Sequence, residues 1–471
     1  MAEKEIDYVN DEYKKFVKKW KIIDDICNVE NVEDYIKTLN ADDTSLKNIE
    51  RNRLFRERAI FYELASFTRQ TLLGLLFKRW PKLNVPKLIE YVEKNVNGEG
   101  VSIYQLSQMV AKEVIGKGKA GLLVDFPQVD EQPSATDMAE LKYISTIHYF
   151  KPEQILLPVE TITVGGVCVL SRVRLSTSVE ENYETIPVIR ELLLDNGIYV
   201  SREWRNIKEK WEMVNETFVK GGNGQYLNYI PFAFVGSETN TKETNQPPLY
   251  GICKINIGHY NNSADYEDSC HTCGVIQPWA SGLSMTEIKE MEENGFYFGC
   301  GRLIGLGEGG TLGFAQGEPN QIVREAMDKK VNDIVGLGGS FIMPGSAVKT
   351  ATQSEGEQDT QHSKLSLIAS NISEAVTKCL NWVCDFMNIP VPEDLEYTIF
   401  QDFKSYKTDA QMITALSNAI TAGHYRKEAF VNWQKKHGIE DEEQNTEEIL
   451  EELEEQSPKV TMPDFSVGDE G

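Results

Sequence analysis

The segment Cys270-His271-Thr272-Cys273 sets two thiols three residues apart, the spacing of half a structural zinc site. Such a site needs a second pair close by. Cys253 and Cys300 are isolated, and Cys379 and Cys384 lie five apart in a different helical pattern, so the four residues read as thiols at a helix end. Gly305-Leu306-Gly307-Glu308-Gly309-Gly310 has the composition of a phosphate-binding loop. That chemistry requires a strand before it and a helix directly after, and a Walker loop adds Gly-Lys-Ser/Thr. Here Thr311 to Gly317 intervenes and the lysine is missing, which fits a glycine-rich hairpin. His148, His259, His271, His362, His424 and His437 fall into no metal-ligand spacing, and there is no G-x-S-x-G elbow for a nucleophile. Asp402 follows an apolar run, a position used by catalytic and structural carboxylates alike. The residues assign no catalytic, cofactor-binding or metal-binding side chain, and the expectation is a protein that is not an enzyme.

Charge narrows the partners. The chain has 471 residues and a formal charge of −25. Ten carboxylates lie between Glu440 and Glu455, yet the remainder is still at about −15. That disfavours tight wrapping of nucleic acid, which needs Lys and Arg against phosphates. It leaves room for a surface past which a polyanion slides without sticking. Hydrophobic content of 41% supports substantial cores, and the length suggests about two to four domains. No apolar run reaches membrane-spanning length. Glu3, Lys4, Glu5 and Asp7 are too polar for a signal peptide, and the eight cysteines are scattered, so a reducing, cytosol-like compartment is expected.

The elements form a mixed pattern, and the fold class expected is α+β. Tyr13, Phe16, Val17, Trp20 and Ile23 make a helical stripe, with a second patch at Val32 to Leu39. Residues 47–77 read as one long helix or two, Pro86 to Val96 as another, and Ile103 to Ile115 as a further one. Gly116, Gly118 and Gly121 lead into a short buried strand, Leu122 to Asp125. From 141 to 235 the expectation is mostly β, with strands at 143–149, 155–157, 167–176, 187–194, 198–204 and 229–235, and a tight turn at Asp195-Asn196-Gly197. A helix at 250–273 carries Ile252, Ile255, His259, Asn262 and Tyr266 on one side. A small β-rich module with one helix, 285–293, follows over 275–318, its strands placed around Val275-Ile276, Tyr297-Phe298-Gly299 and Leu303-Ile304-Gly305. The next helix opens at Pro319, carries Ile322, Val323, Met327, Val331, Ile334 and Val335, and should end at Gly336, Gly338 and Gly339. A long polar loop then precedes a helix whose stripe is Leu365, Ile368, Ile372, Val376, Cys379, Val383 and Phe386. A connection of this length between helices is functional or disordered in most domains. A strand, Tyr397 to Phe403, and helices over 409–422 and 425–436 complete the body. The acidic tail past residue 439 is expected to be disordered or to become ordered on a partner.

The order helix, small β module, helix, long loop, long helix resembles the plan of tailed-phage portal proteins. The wording resembles one portal-like family in particular, DUF4055. The similar stretches are Gly116-Lys117-Gly118-Lys119-Ala120-Gly121-Leu122-Leu123-Val124-Asp125-Phe126-Pro127, Ile230-Pro231-Phe232, and Pro247-Pro248-Leu249 with the run from Ile255 to Glu267. Lys349-Thr350-Ala351-Thr352, the helix with Trp382, and Phe400-Gln401-Asp402-Phe403 add to these. The resemblance spans residues 50–440. It departs at Asp268 to Cys273, where the helix end carries cysteines.

The resemblance implies a portal fold of wing, stem, clip and crown, with long helices lining the channel of a ring of about twelve subunits. Residues 1–249 would be the N-terminal region and wing, 250–274 and 319–337 the stem helices, and 275–318 the clip. Residues 338–360 would be the tunnel loop, 361–389 the long helix, 390–438 the wing strand and crown helices, and 439–471 the tail. Ser340, Ser346, Lys349, Thr350, Thr352 and Gln353 would then face DNA, with hinges at Gly336, Gly338, Gly339 and Gly356. Trp279, Phe296, Tyr297, Leu312 and Phe314 would meet partners at the clip. The implied partners are further copies of the chain, double-stranded DNA in the channel, the terminase large subunit, a head-tail adaptor, and the major capsid protein with a scaffold. No cofactor and no membrane are implied. The location would be the capsid vertex of a virion, reached from the host cytoplasm. Two other readings fit the sequence less completely: a metal-dependent nuclease or head-maturation enzyme, and a monomeric virion adaptor.

Overall fold

The apolar stripe of residues 364–386 becomes the helix around which the larger unit of the fold is packed. The structure is a computed structural model that describes residues 5–128, 143–181, 183–274, 276–294, 309–317, 321–339, 363–401, 418, 426–436 and 445–456. It divides into two units, Met1–Phe403 and Lys404–Gly471. In the first, the helices are α1 (Asp11–Asn28), α2 (Leu46–Arg58), α3 (Leu64–Leu76), α4 (Ile103–Lys117), α5 (Tyr250–Gly274), α6 (Met285–Asn294), α7 (Gln321–Gly339) and α8 (Lys364–Phe386). The protein is α+β. No helix among the described residues is long and apolar enough to cross a membrane.

Ser363 caps α8 by accepting the Ser366 N–H at 3.1 Å. Leu365, Ile368, Ile372, Val376, Cys379, Val383 and Phe386 are all buried, as their spacing requires. They cover a three-stranded antiparallel sheet in which β2 (Lys119–Asp125) lies between β3 (Thr146–Phe150) and β9 (Phe232–Gly236). The central strand β2 carries an uncharged, buried run, Ala120 to Val124, which suits a strand on which helices α4 and α8 both pack. Gly121 has to be glycine: a Cβ there would lie 2.4 Å from Cζ of Phe232. Helix α4 starts with a reciprocal Ser102–Gln105 capping box and ends at Gly118, whose φ is +83°. Its last residue, Lys117, is buried with its ammonium 2.8 Å from Asp24, 3.1 Å from Glu113 and 2.6 Å from Glu153. Trp20 of α1 donates to the Lys117 carbonyl at 3.1 Å, which fixes α1 against α4.

The β region is a five-stranded antiparallel meander in sequence order: β4 (Ile155–Val164), β5 (Val167–Glu181), β6 (Glu184–Asp195), β7 (Ile198–Ile207) and β8 (Lys210–Phe218). The turn at Asn196-Gly197 has both φ angles positive, 47° and 81°, as the Asp195-Asn196-Gly197 signal predicts. Strand β8 is absent from the sequence-based expectation. Its turn, Lys208-Glu209, also takes positive φ (52° and 64°) but without the residue types that announce it.

Residues 47–77 form two helices, α2 and α3, one of the two readings the pattern allows. Other expectations shift. The segment from Pro86 to Val96 is a 3-10 helix, Lys87–Glu93, in which Ile89 and Val92, three apart, are both buried. Of the strand expected from Tyr397 to Phe403, the described part pairs only in β12 (Glu396–Thr398), with β1 (Lys82–Asn84), and residues 402–403 lie outside the described residues. Ile399 leaves the ladder because its N–H goes to Ser373 Oγ of α8, at 2.9 Å.

In the second unit, α9 (Lys427–Lys436) is followed by α10 (Thr446–Gln456). Within the acidic tail, residues 446–456 are helical. Ile449 is buried, Thr446 Oγ1 donates to Asn432 Oδ1 at 3.0 Å, and Glu447 and Glu448 stand in the first turn, where carboxylates favour a helix. The helix expected over 409–422 lies outside the described residues apart from residue 418.

Candidate functional site: a paired-helix stem and its ribbon

Helix α5 has 25 residues, so it is roughly 37 Å long at 1.5 Å per residue. Its first half is embedded. Ile252, Cys253, Asn256, His259, Tyr260, Ser263 and Ala264 are buried, and none of its residues after Ala264 is. The buried face is rotated by about one residue from the expected one, since Ile255, Asn262 and Tyr266 are only half-buried.

The polar residues of this half hold neighbouring backbone in place. Asn256 accepts the Ala65 N–H and donates to the Tyr62 carbonyl, both at 2.9 Å, so it tethers the start of α3. Asn261 accepts the Lys37 N–H at 2.9 Å and donates to the Tyr35 carbonyl at 3.0 Å. Ser263 Oγ accepts the Ile60 N–H at 3.0 Å. Each replaces a backbone partner that an irregular segment lacks. Further along, Asp268 pairs with Arg58 at 2.6 Å.

Helix α7 packs against α5. Lys330 crosses Gly258, where a Cβ would lie 3.1 Å from the lysine Cε, and donates to Asn262 Oδ1 at 2.5 Å. His259 is buried nearby, edge-on to Tyr62 with centroids 4.9 Å apart, and its Nδ1 has no partner. Burial and then the Lys330 charge lower its pKa, with Asp328 opposing. Of the expected α7 stripe only Ile334 is buried, while Ile322 and Val335 are exposed at 79% and 68%. The helix runs through Gly336 and Gly338, and Gly339, one of the three glycines expected to end it, is its last described residue. Glycine in a helix costs about 1 kcal/mol. At Gly338 the lack of a side chain also permits close approach to α3, because a Cβ there would be 3.2 Å from Thr68 Cγ2.

Between α5 and α7 the chain forms a two-stranded ribbon, β10 (Gln277–Ser281) with β11 (Thr311–Ala315), and α6. Strand β10 begins just after Val275-Ile276, and β11 was missed in the sequence. The expected strands at 297–299 and 303–305 lie outside the described residues. Trp279 pairs with Gly313, whose Cβ would meet the indole at 2.7 Å, so the ring lies over the glycine. Pro278 pairs with Phe314 and Ala280 with Leu312. Paired residues share a face, so Trp279 is on one side of the ribbon and Leu312 and Phe314 are on the other. Trp279 and Phe314 are 48% and 61% exposed, and Ile276 and Met285 beside them are exposed too.

Of the other sequence-derived candidates, Phe296, Tyr297, Ser340, Ser346, Lys349, Thr350, Thr352, Gln353 and Gly356 lie outside the described residues. Cys270 and Cys273 are half-buried on α5, and no group of three or more metal-ligating side chains occurs among the described residues.

Mixed α+β architecture, with two packed helices joined through a two-stranded ribbon, is the class these observations define. Residues 248–387, from the lead-in to α5 to just past the end of α8, match a family described as a domain of unknown function, DUF4055. No curated protein matches the chain. Among solved structures, a chain of the "neck of empty GTA particle computed with C6 symmetry" is similar at a TM-score of 0.42 and 10% identity, over 80% of this chain and 90% of that one. A chain of the "neck of native GTA particle computed with C12 symmetry" is similar at 0.41 and 11%, over 77% and 86%.

Proposed function

We propose that this chain is a structural protein of a phage-like virion, and specifically the portal protein of a tailed bacteriophage. It would form the ring at one capsid vertex through which DNA is packaged and ejected. The observation that carries this reading is the arrangement inside the DUF4055 match. Two packed helices, α5 and α7, are joined through an aromatic-bearing ribbon, and a buried helix, α8, follows the 340–362 segment.

In this reading α5 and α7 are the stem and the ribbon is the clip. Trp279, Leu312 and Phe314, together with Phe296 and Tyr297, meet the terminase large subunit and later a head-tail adaptor. Two exposed aromatic faces suit successive partners. The segment after α7 would reach the channel as the tunnel loop, with Lys349 touching phosphate and Gly356 allowing the loop to change course; Gly336, Gly338 and Gly339 belong to the last turn of α7 that would launch it. The exposed Ile322 and Val335 would be covered by a neighbouring copy in a heterologous interface that closes into a ring. About twelve copies would carry roughly −300 formal charges, so DNA passes with few lasting contacts. The role is assembly and conduit, with no catalytic step.

Negative-stain microscopy of the purified chain tests this. The expected image is a closed ring with a central hole wide enough for duplex DNA. Fields of single small particles at every salt and protein concentration would overturn it.

A further inference from the structure

The end of α1 meets the first turn of α5, and two thiols face each other there. The sulfurs of Cys27 and Cys253 are 3.8 Å apart across 226 residues of sequence, at 2% and 0% exposure. We propose that Cys27 and Cys253 are an oxidisable pair that closes to a disulfide when the protein meets a small-molecule disulfide, fastening α1 to the stem helix α5.

The geometry needs little movement. The sulfurs must approach from 3.8 Å to about 2.05 Å. Cys253 is held, since its N–H bonds to the Leu249 carbonyl at 2.9 Å. Cys27 is the penultimate residue of α1, followed by Asn28 and by Val29 in the left-handed region at φ 60°. A helix end opens locally more readily than its middle, which gives both a path for the oxidant and the displacement required.

The surroundings divide the two thiols by role. Arg69 donates to the Cys27 carbonyl and to Asn28 Oδ1, both at 2.9 Å, and brings its positive charge to the pair. The Cys253 thiol facing Cys27 favours the thiolate there, with Arg69 adding to it, while Cys253 is pushed well above the ordinary range. Cys27 is thus the attacking sulfur. Its thiolate attacks one sulfur of the small disulfide, expels one thiolate and leaves a mixed disulfide. Cys253 then gives up its proton, attacks the Cys27 sulfur and expels the second thiolate. Two S–H bonds are lost from the protein and one S–S bond is gained. The two electrons and two protons end on the reagent as two thiols.

Oxidised glutathione applied to the folded full-length chain tests this, with free thiols then alkylated under denaturing conditions and the peptides weighed. The expected product is a Cys27–Cys253 linked peptide pair, two hydrogens lighter than the reduced pair and restored by reductant. Closing so long a loop restricts the unfolded chain, so the thermal midpoint should rise on oxidation. That rise should vanish in Cys27→Ser and Cys253→Ser. Should either serine prevent folding, Cys27→Ala and Cys253→Ala make the same comparison. The exposed Cys168 serves as the control that the oxidant acted. Cys27 and Cys253 both alkylated after Cys168 has reacted, or each carrying its own glutathione, would overturn the proposal.

Discussion

Asn256 sits on the buried face of α5 with both its amide atoms bonded to the start of α3. Asn256→Ala leaves the buried Ala65 N–H without a partner, while the Tyr62 carbonyl still accepts the Leu64 N–H at 2.8 Å, and should cost about 1–3 kcal/mol in urea unfolding. Asn256→Asp should also destabilise, because a carboxylate cannot donate to the Tyr62 carbonyl. His259 gives a pH dependence of known sign. Its pKa in the folded protein is lowered from the ordinary 6.5 by burial and by Lys330. The folded state therefore favours the neutral ring, and this stability is present above the unfolded value and lost as pH falls through the folded one. The urea midpoint should drop between roughly pH 7 and pH 5 more steeply in the native protein than in His259→Phe. Equal slopes would show that His259 titrates alike in both states. At this scale the sequence was partly legible. The stretch from Ile255 to Glu267 stands out as a resemblance, but its purpose does not. Asn256 is an amide four residues after Ile252 on one helical face, and that polar residue in an apolar stripe was the available signal. Its partners at 62 and 65 are set by tertiary packing alone.

At the scale of the elements, composition and exposure disagree in the ribbon. Trp279 and Phe314 are large, apolar and largely solvent-facing on opposite sides of two short strands. Trp279→Ser and Phe314→Ser should change thermal stability by no more than about 1 kcal/mol, since little burial is lost. They should nevertheless weaken co-purification with the terminase large subunit. Full retention of that interaction in the double variant would remove the clip assignment. Helix α8 was readable from sequence, because all of its apolar stripe is buried within one chain, whereas the stripes of α5 and α7 did not fix their buried faces. The Asn196-Gly197 hairpin was readable because those residues accept positive φ. Strand β8 was not, because Lys208-Glu209 adopts the same geometry under the pull of ladder bonds on both sides. The tail misled for the opposite reason. Its charge suggested disorder, while Ile449 supplies a buried contact that α10 needs.

On the scale of the whole molecule, the account rests on closure into a ring and on a loop that reaches its channel. Deleting residues 345–355, or making Lys349→Glu, should leave assembly intact because the helices and ribbon are untouched. Both should reduce the DNA retained in particles, measured by genome content after nuclease treatment. A deletion variant with a full genome would make the segment a passive linker. The channel of the proposed ring would exist only between copies, so the residues that would face it are not legible in a single chain. Charge and element order were the signals that reached this scale. The most direct measurement is the solution mass of the purified chain by size-exclusion with light scattering. The account predicts a discrete species at about twelve times the 53.3 kDa chain. A monodisperse 53.3 kDa monomer across salt and protein concentration would contradict it.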